Sequence, residues 1–356
     1  MMKRFGAIRT SSICSVKHRR TLRWLHPAWL LLCVAGWACA APPSAQWLLI
    51  NPYPATGALD IAGSNPASRA ARAMQTYATP SAVDTVARQL QQTLAHGLYE
   101  SVDLERNPRG GGDDAADDLA QAPAAARMLL LAGSGLGGGR LLQALRALQP
   151  LALLAHAPVV LVSNGEGNAA RIGDLLQQAR HGRAPTAVGT PGDRSVGHAI
   201  AGLLHAQWPQ GIAPVAYNGG NGALRGIIAA QVVVSLVPLP TVMPFVADPR
   251  IRILATATAA RLPSLPAVPT LRESGVAVTE SGGWYGLFAT ARLPAKEIQR
   301  LSVALEPGWR NAATGQNLLA SGFLPDYQDA AVLRRLLSNP PESAVSVPTP
   351  PAVSPR

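Results

Sequence analysis

Cysteine is nearly absent from this 356-residue chain: there are three, Cys14, Cys33 and Cys39, and all lie before residue 40. Nothing downstream can form a disulfide, bind a metal through sulfur or act as a nucleophilic thiol. Aromatic residues make up 5% and charged residues 14%. The basic residues are dispersed rather than interleaved with aromatics, so no nucleic-acid partner is expected. The five histidines after residue 40 (His96, His156, His181, His198 and His205) include no i,i+4 pair, so neither a metal site nor a cofactor is expected. Acids are missing from residues 1–40 and from the whole stretch between Asp118 and Glu166. No later apolar run is long enough to span a bilayer without interruption.

What is present begins with a leader. Lys3, Arg4, Arg9, Lys17, Arg19, Arg20 and Arg23 precede the apolar run Ala28–Ala40, which ends in the small-x-small signal Ala38-Cys39-Ala40. This pattern is that of a cleavable signal peptide, residues 1–40, and predicts export. Anchoring as a lipoprotein through Cys39 is the alternative, on a loose lipidation match at Gly36-Trp37-Ala38-Cys39. The leader holds seven basic residues, so the formal charge of +11 falls to about +4 once it is gone. The remaining chain is long enough for two lobes of ordinary size.

The apolar run Trp47–Asn51 predicts a buried parallel strand. Val86, Leu90, Leu94 and Leu98 form one stripe of a helix over 84–98, with Gly97 weakening its end. Strands are predicted at 101–105, 128–132 and 157–162, and helices at 140–148 and 171–180. Residues 106–118 read as a Gly- and Asp-rich connection, and 339–356 as a disordered Pro-rich tail. The alternation predicts an α/β fold with mainly parallel sheets, and no internal repeat is visible. The stretch from Thr186 to Val246 is the most informative. A short strand runs into Gly189-Thr190-Pro191-Gly192-Asp193-Arg194-Ser195, an apolar helix follows, and Tyr217-Asn218-Gly219-Gly220 opens a second. Such a turn aims unpaired backbone N–H groups and a helix dipole at one spot, which suits a carboxylate or phosphate.

Catalytic readings fare worse. Gly133-x-Gly135-x-x-Gly138 has the spacing of a dinucleotide fingerprint, but the acid expected about twenty residues on is missing. It reads instead as a tight strand–helix turn lining a cleft. Asp193, Ser195 and His198 invite a secreted serine hydrolase, yet such close neighbours seldom form a nucleophile–base–orienter chain, and Gly-x-Ser-x-Gly is absent. Asp193 or Ser195 as a helix cap and a structural His198 are the simpler assignments, so the chain is not read as an enzyme.

Several segments, in order, resemble the Bug-type receptors of tripartite tricarboxylate transporters. They are Pro52-Tyr53; Pro80-Ser81-Ala82-Val83-Asp84-Thr85-Val86-Ala87-Arg88; Glu105-Arg106-Asn107-Pro108; Gly189–Gly192 with Ser195 and His198; and Tyr217-Asn218-Gly219-Gly220. Further on come Leu265-Pro266-Ala267-Val268-Pro269-Thr270-Leu271-Arg272-Glu273-Ser274-Gly275 and Trp284-Tyr285-Gly286-Leu287-Phe288-Ala289, the most specific of the series. The resemblance covers roughly residues 46–335. It implies a two-lobe periplasmic binding protein of the type II, Venus-flytrap class, with lobe one at 46–157 plus 285–338 and lobe two at 158–284. Crossings between them are expected near Ala157–Ser163 and Glu280–Leu287. A small organic carboxylate is expected between the lobes, with Tyr53, Ser81, Ala82, Asp84, Ser134, Gly189, Thr190, Gly192, Asp193, Ser195, Tyr217 and Val237 as the candidate ligand-binding residues. The implied partners are the membrane permease subunits of such a transporter or, as in some relatives, a sensor kinase, and the implied location is the periplasm.

The chain also departs from the family. About two dozen extra residues separate Tyr53 from Pro80, and the Gly-Gly of the first ligand loop is replaced by Ser81-Ala82. Asp60 offers that loop a second register. Val237 stands in place of an acid, which implies a shorter or more apolar ligand, and the closing helix is expected to be missing or replaced by the Pro-rich tail. A degenerate member that binds nothing is therefore a further reading.

Overall fold

A computed structural model describes residues 46–52, 82–107, 113–123, 125–134, 139–165, 171–181, 184–193, 195–276 and 282–338. The leader, Tyr53, the insertion at 55–79, Ser81, the Gly135–Gly138 turn, Arg194, Glu280 and the tail lie outside the described residues.

Ten strands are described: β1 Trp47–Asn51, β2 Val102–Arg106, β3 Met128–Gly133, β4 Gln149–Asn164, β5 Thr186–Thr190, β6 Ile212–Ala216, β7 Val234–Pro238, β8 Ile251–Thr256, β9 Gly282–Ala289 and β10 Leu324–Asp329. The helices are α1 Ala82–Leu98, α2 Asp113–Gln121, α3 Gly139–Ala147, α4 Ile172–His181, α5 Val196–Gln207, α6 Gly219–Ile228, α7 Leu239–Val242, α8 Ala295–Trp309, α9 Ala312–Ala320 and α10 Ala330–Ser338. Pairing is mixed rather than mainly parallel. Among the described residues four strand pairs are parallel and five antiparallel. The parallel pairs surround β1 and β5, and the antiparallel ones all involve β4 or β9.

β4 organises the molecule. Its first part, Gln149–Pro158, pairs with β9 and also carries β10. From Val159 onward it pairs with β7 and β8 instead. One strand of 16 residues, roughly 50 Å at the usual rise, thus belongs to two sheets. Only its two end residues and His156 are less than fully buried, because helices cover both faces of both sheets. Trp47, Leu90, Leu94 and Leu301 fill one face of the first sheet, and Leu119, Leu141, Phe288 and Leu333 fill the other. On the second sheet, Leu175, Ile200 and Leu204 pack on one face, and Leu224, Ile227 and Val242 on the other.

The outer parts of the sheets repeat one another. β1-α1-β2-α2-β3 has the strand order β2-β1-β3, and β5-α5-β6-α6-β7 has the order β6-β5-β7. In each unit the two helices lie on opposite faces. The strand order therefore reverses at β1 and again at β5, where open α/β sheets leave a crevice beyond the carboxyl ends of the strands.

Three local findings differ from the sequence reading. Residues 113–121 form helix α2, which starts inside the stretch 106–118 expected to be a connection and runs past its end. Gly97 does not merely weaken α1: an added Cβ there would collide with the backbone of Ala304 in α8, so the glycine lets the two helices touch. A closing helix is present as α10, with Leu333 and Leu337 buried against the first sheet.

Candidate functional site

The carboxyl ends of β5, β6 and β7 bring three loops to one edge of the second sheet. β5 ends in Thr190, which is wholly buried, and its Oγ1 lies 2.9 Å from His198 Nδ1. The chain then turns through Pro191 and Gly192, whose φ of 150° favours glycine, to exposed Asp193. Ser195 caps α5 with extended backbone angles of −78° and 154°. Its Oγ accepts from the His198 N–H at 3.1 Å and donates to the Gly192 carbonyl at 2.7 Å. That leaves the first-turn amides of Val196 and Gly197 as donors at the positive end of the helix.

The loop after β6 is tied to this one through the backbone. The Tyr217 N–H donates to the Thr190 carbonyl at 2.9 Å, and the Gly219 N–H to the Pro191 carbonyl at 2.8 Å. α6 starts at Gly219, with Asn218 at its cap position making no side-chain capping bond. Thr241 of α7 closes against Gly220, 3.0 Å from where a Cβ would stand. The cluster is polar, with the Asp193 carboxylate exposed in its turn. Burial lowers the His198 pKa and the nearby Asp193 carboxylate raises it only partly, which favours the neutral imidazole.

On the first sheet, Ser134 follows β3 directly. Its N–H donates to the Trp284 carbonyl at 3.1 Å, and its Oγ accepts from the Trp284 N–H at 3.0 Å. The hydroxyl can also donate one hydrogen bond.

The structure therefore brings together Gly189, Thr190, Gly192, Asp193, Ser195 and the backbone of Tyr217, and sets Ser134 at the carboxyl end of β3. Asp84 is placed differently. Its side chain is 1% exposed and held by Arg88 and Arg106, so it frames the start of α1. Val237, expected among the ligand-binding residues, is instead fully buried in the apolar layer with Val160, Leu224 and Val242, because a valine there gains more from the core than from water. Ala82 opens α1, while Tyr53 and Ser81 lie outside the described residues. The Thr190–His198 pair was not anticipated, although a histidine three residues after a serine cap falls at the helical position nearest the preceding strand.

Two further geometries bear on chemistry. The Ser195 hydroxyl donates to a backbone carbonyl rather than to an imidazole, which is capping geometry and not that of an activated nucleophile. Among the described residues no group of three or more His, Cys, Asp or Glu could hold a metal ion, and no helix is long and apolar enough to cross a membrane.

Comparison with known proteins finds that the family described as tripartite tricarboxylate transporter family receptor (TctC) matches residues 86–343. The chain belongs to this receptor family. BugT of Bordetella pertussis is 25% identical over 252 residues, spanning 68% of this chain and 77% of BugT. Among solved structures, the periplasmic binding protein BugD superposes with a TM-score of 0.67 at 18% identity, covering 85% of this chain and 96% of BugD. MatC from Rhodopseudomonas palustris, solved with bound malate, gives 0.65 at 22% identity over 83% of this chain and 96% of MatC. The chain thus has the two-lobe fold of the periplasmic binding proteins. The family match starts within α1, after Tyr53, Ser81 and Asp84.

Proposed function

We propose that this chain is an exported receptor that captures a small organic carboxylate between two lobes and presents it to a tripartite tricarboxylate-type permease in the membrane. The observation that carries the reading is the edge of the second sheet, where the capped N-terminus of α5, the Gly192 turn and the start of α6 are hydrogen-bonded into one donor-rich surface. Ser134 and the carboxyl end of β1 belong to the facing lobe. The lobes are residues 46–157 plus 285–338 and residues 158–284. In support, β4 changes partners after Pro158, and the apolar clusters of the two sheets separate at the same point.

Two solved relatives hold carboxylates, malate in one and adipate in the other. Charge-assisted bonds to backbone amides and hydroxyls contribute about 1.5–3 kcal/mol each. Three or four of them, after ordering costs, are compatible with micromolar affinity, about −8 kcal/mol. Closing requires contacts from both lobes, so closure is the signal the permease reads.

The test is a thermal-shift screen of the chain from residue 41 against mono-, di- and tricarboxylates, malate and adipate included. A ligand at a hundred times its Kd adds roughly 2.7 kcal/mol. A hit that Ser195→Ala weakens supports capture at this edge. A flat panel with folded protein rejects carboxylate capture.

A further inference from the structure

The side chain of Tyr217 does not extend to the edge where the three loops meet. It lies back along α6 in a cradle of glycines. A Cβ on Gly226 would stand 2.5 Å from its hydroxyl oxygen and 2.6 Å from Cζ. A Cβ on Gly222 would stand 3.3 Å from the tyrosine Cβ, and one on Gly189 3.2 Å from Cε2. The hydroxyl is directed at Gln231 Oε1, 3.5 Å away in the turn between α6 and β7, and burial raises the phenol pKa. The ring is a wedge between the end of β5 and the length of α6. The backbone of the same residue is bonded to Thr190, and that of Gly219, two residues on, to Pro191.

We propose that Tyr217 is a positioning residue: its ring, seated in the Gly189–Gly222–Gly226 cradle, holds the first turn of α6 and the Pro191-Gly192 loop in register and makes no side-chain contact with the ligand. The ligand half of this proposal rests on the receptor reading above, whereas the cradle stands without it.

The experiment uses the full chain with Gly226→Ala, Tyr217→Phe, the double variant Gly226→Ala with Tyr217→Leu, and Gly173→Ala as the control. Gly173 lies in α4 with nothing within 4 Å of an added Cβ. Alanine is the better helix former, so Gly173→Ala keeps or raises the Tm. At Gly226 the cradle demands the opposite sign, a lower Tm. Hydrogen exchange of the Tyr217 and Gly219 amides should also quicken by about tenfold or more, with the β3 amides of Leu129–Leu131 unchanged. The double variant lacks the colliding hydroxyl and Cζ and recovers part of both losses. With malate as the probe, Gly226→Ala weakens binding by about tenfold or more and Tyr217→Phe by no more than about twofold.

A higher Tm in Gly226→Ala with unchanged local exchange overturns the cradle. Loss of malate binding in Tyr217→Phe at unchanged Tm overturns positioning in favour of direct contact. If the unaltered chain does not bind malate, the receptor reading bears that result, and melting and exchange still decide for or against the cradle.

Discussion

Replacing Asp84 with alanine separates a framing role from a ligand-binding one. The carboxylate accepts from Arg88 Nε at 2.9 Å and from Arg106 Nε and Nη2 at 2.8 and 2.9 Å. Its side chain is 1% exposed, against 57% for Arg88 and 33% for Arg106. The Arg88 bond, exposed and within one helical turn, contributes only about 0.3–0.5 kcal/mol. The two-pronged bond from Arg106 is worth about 1.5–3 kcal/mol, discounted toward the lower end because a third of that guanidinium is wet. An acid in the first turn of α1 adds about 0.3–1 kcal/mol. Asp84→Ala should therefore destabilise the ligand-free protein by about 2–4 kcal/mol, lowering the Tm by roughly 4–8 °C at the yield of about 2 °C per kcal/mol typical of larger domains. Melts with and without a bound carboxylate measure this directly. Arg106→Ala should reproduce most of the loss, and the two should couple by about 1–3 kcal/mol in a double-mutant cycle. An unchanged ligand-free Tm combined with abolition of the ligand-induced shift would refute the framing role and make Asp84 a ligand residue.

Three further outcomes follow from the geometry. Ser195→Ala removes the cap of α5 and should cost about 1 kcal/mol, read as a Tm lowered by roughly 2 °C without ligand. Gly97→Ala forces α1 off the Ala304 backbone and should destabilise by about 1–3 kcal/mol, against the small gain that helix propensity alone would give. Glu100 titrates with a sign that can be checked. Burial pushes its pKa up, but hydrogen bonds from Arg300 and Trp47 and the charges of Arg300 and Arg127 outweigh that and leave it below 4.5. Its contribution is therefore fully present above pH 4.5 and is lost as the pH falls through the lower folded-state value. Melting profiles in acid should be flatter for Glu100→Gln than for the unaltered chain.

What was legible in the sequence follows from which signals are local. β1 and α1 were readable because a five-residue apolar run and an i,i+4 stripe each admit one structure. The first part of β4 was not. A strand buried on both faces has no alternation, and Leu151–Ala157 suits a helix as well as a strand. α2 was hidden by its acids: Ala115, Ala116 and Leu119, with half-buried Ala120, face the core, and small alanines give a weak stripe. The donor-rich loops were legible because glycine, proline and serine at a strand end specify backbone geometry directly. Side-chain direction was not, since Val237 turns into the core and Tyr217 lies back along α6 through contacts with residues on other elements.

The repeated β-α-β-α-β unit has no counterpart in repeated residues. What the two units share is strand order and the faces their helices cover, and many apolar sequences satisfy both. The repetition still constrains the chemistry, because each reversal of strand order leaves a crevice at a carboxyl edge. In the second unit that edge is finished with a capped helix, a glycine turn and two loops hydrogen-bonded to one another. In the first, Ser134 is clipped to Trp284 and Asp84 is neutralised by two arginines. A carboxylate meeting both edges would thus find amide and hydroxyl donors, with the nearby acid of the first edge already compensated. At the first edge the two guanidinium groups outnumber the one carboxylate they hold, a balance that favours an anion there.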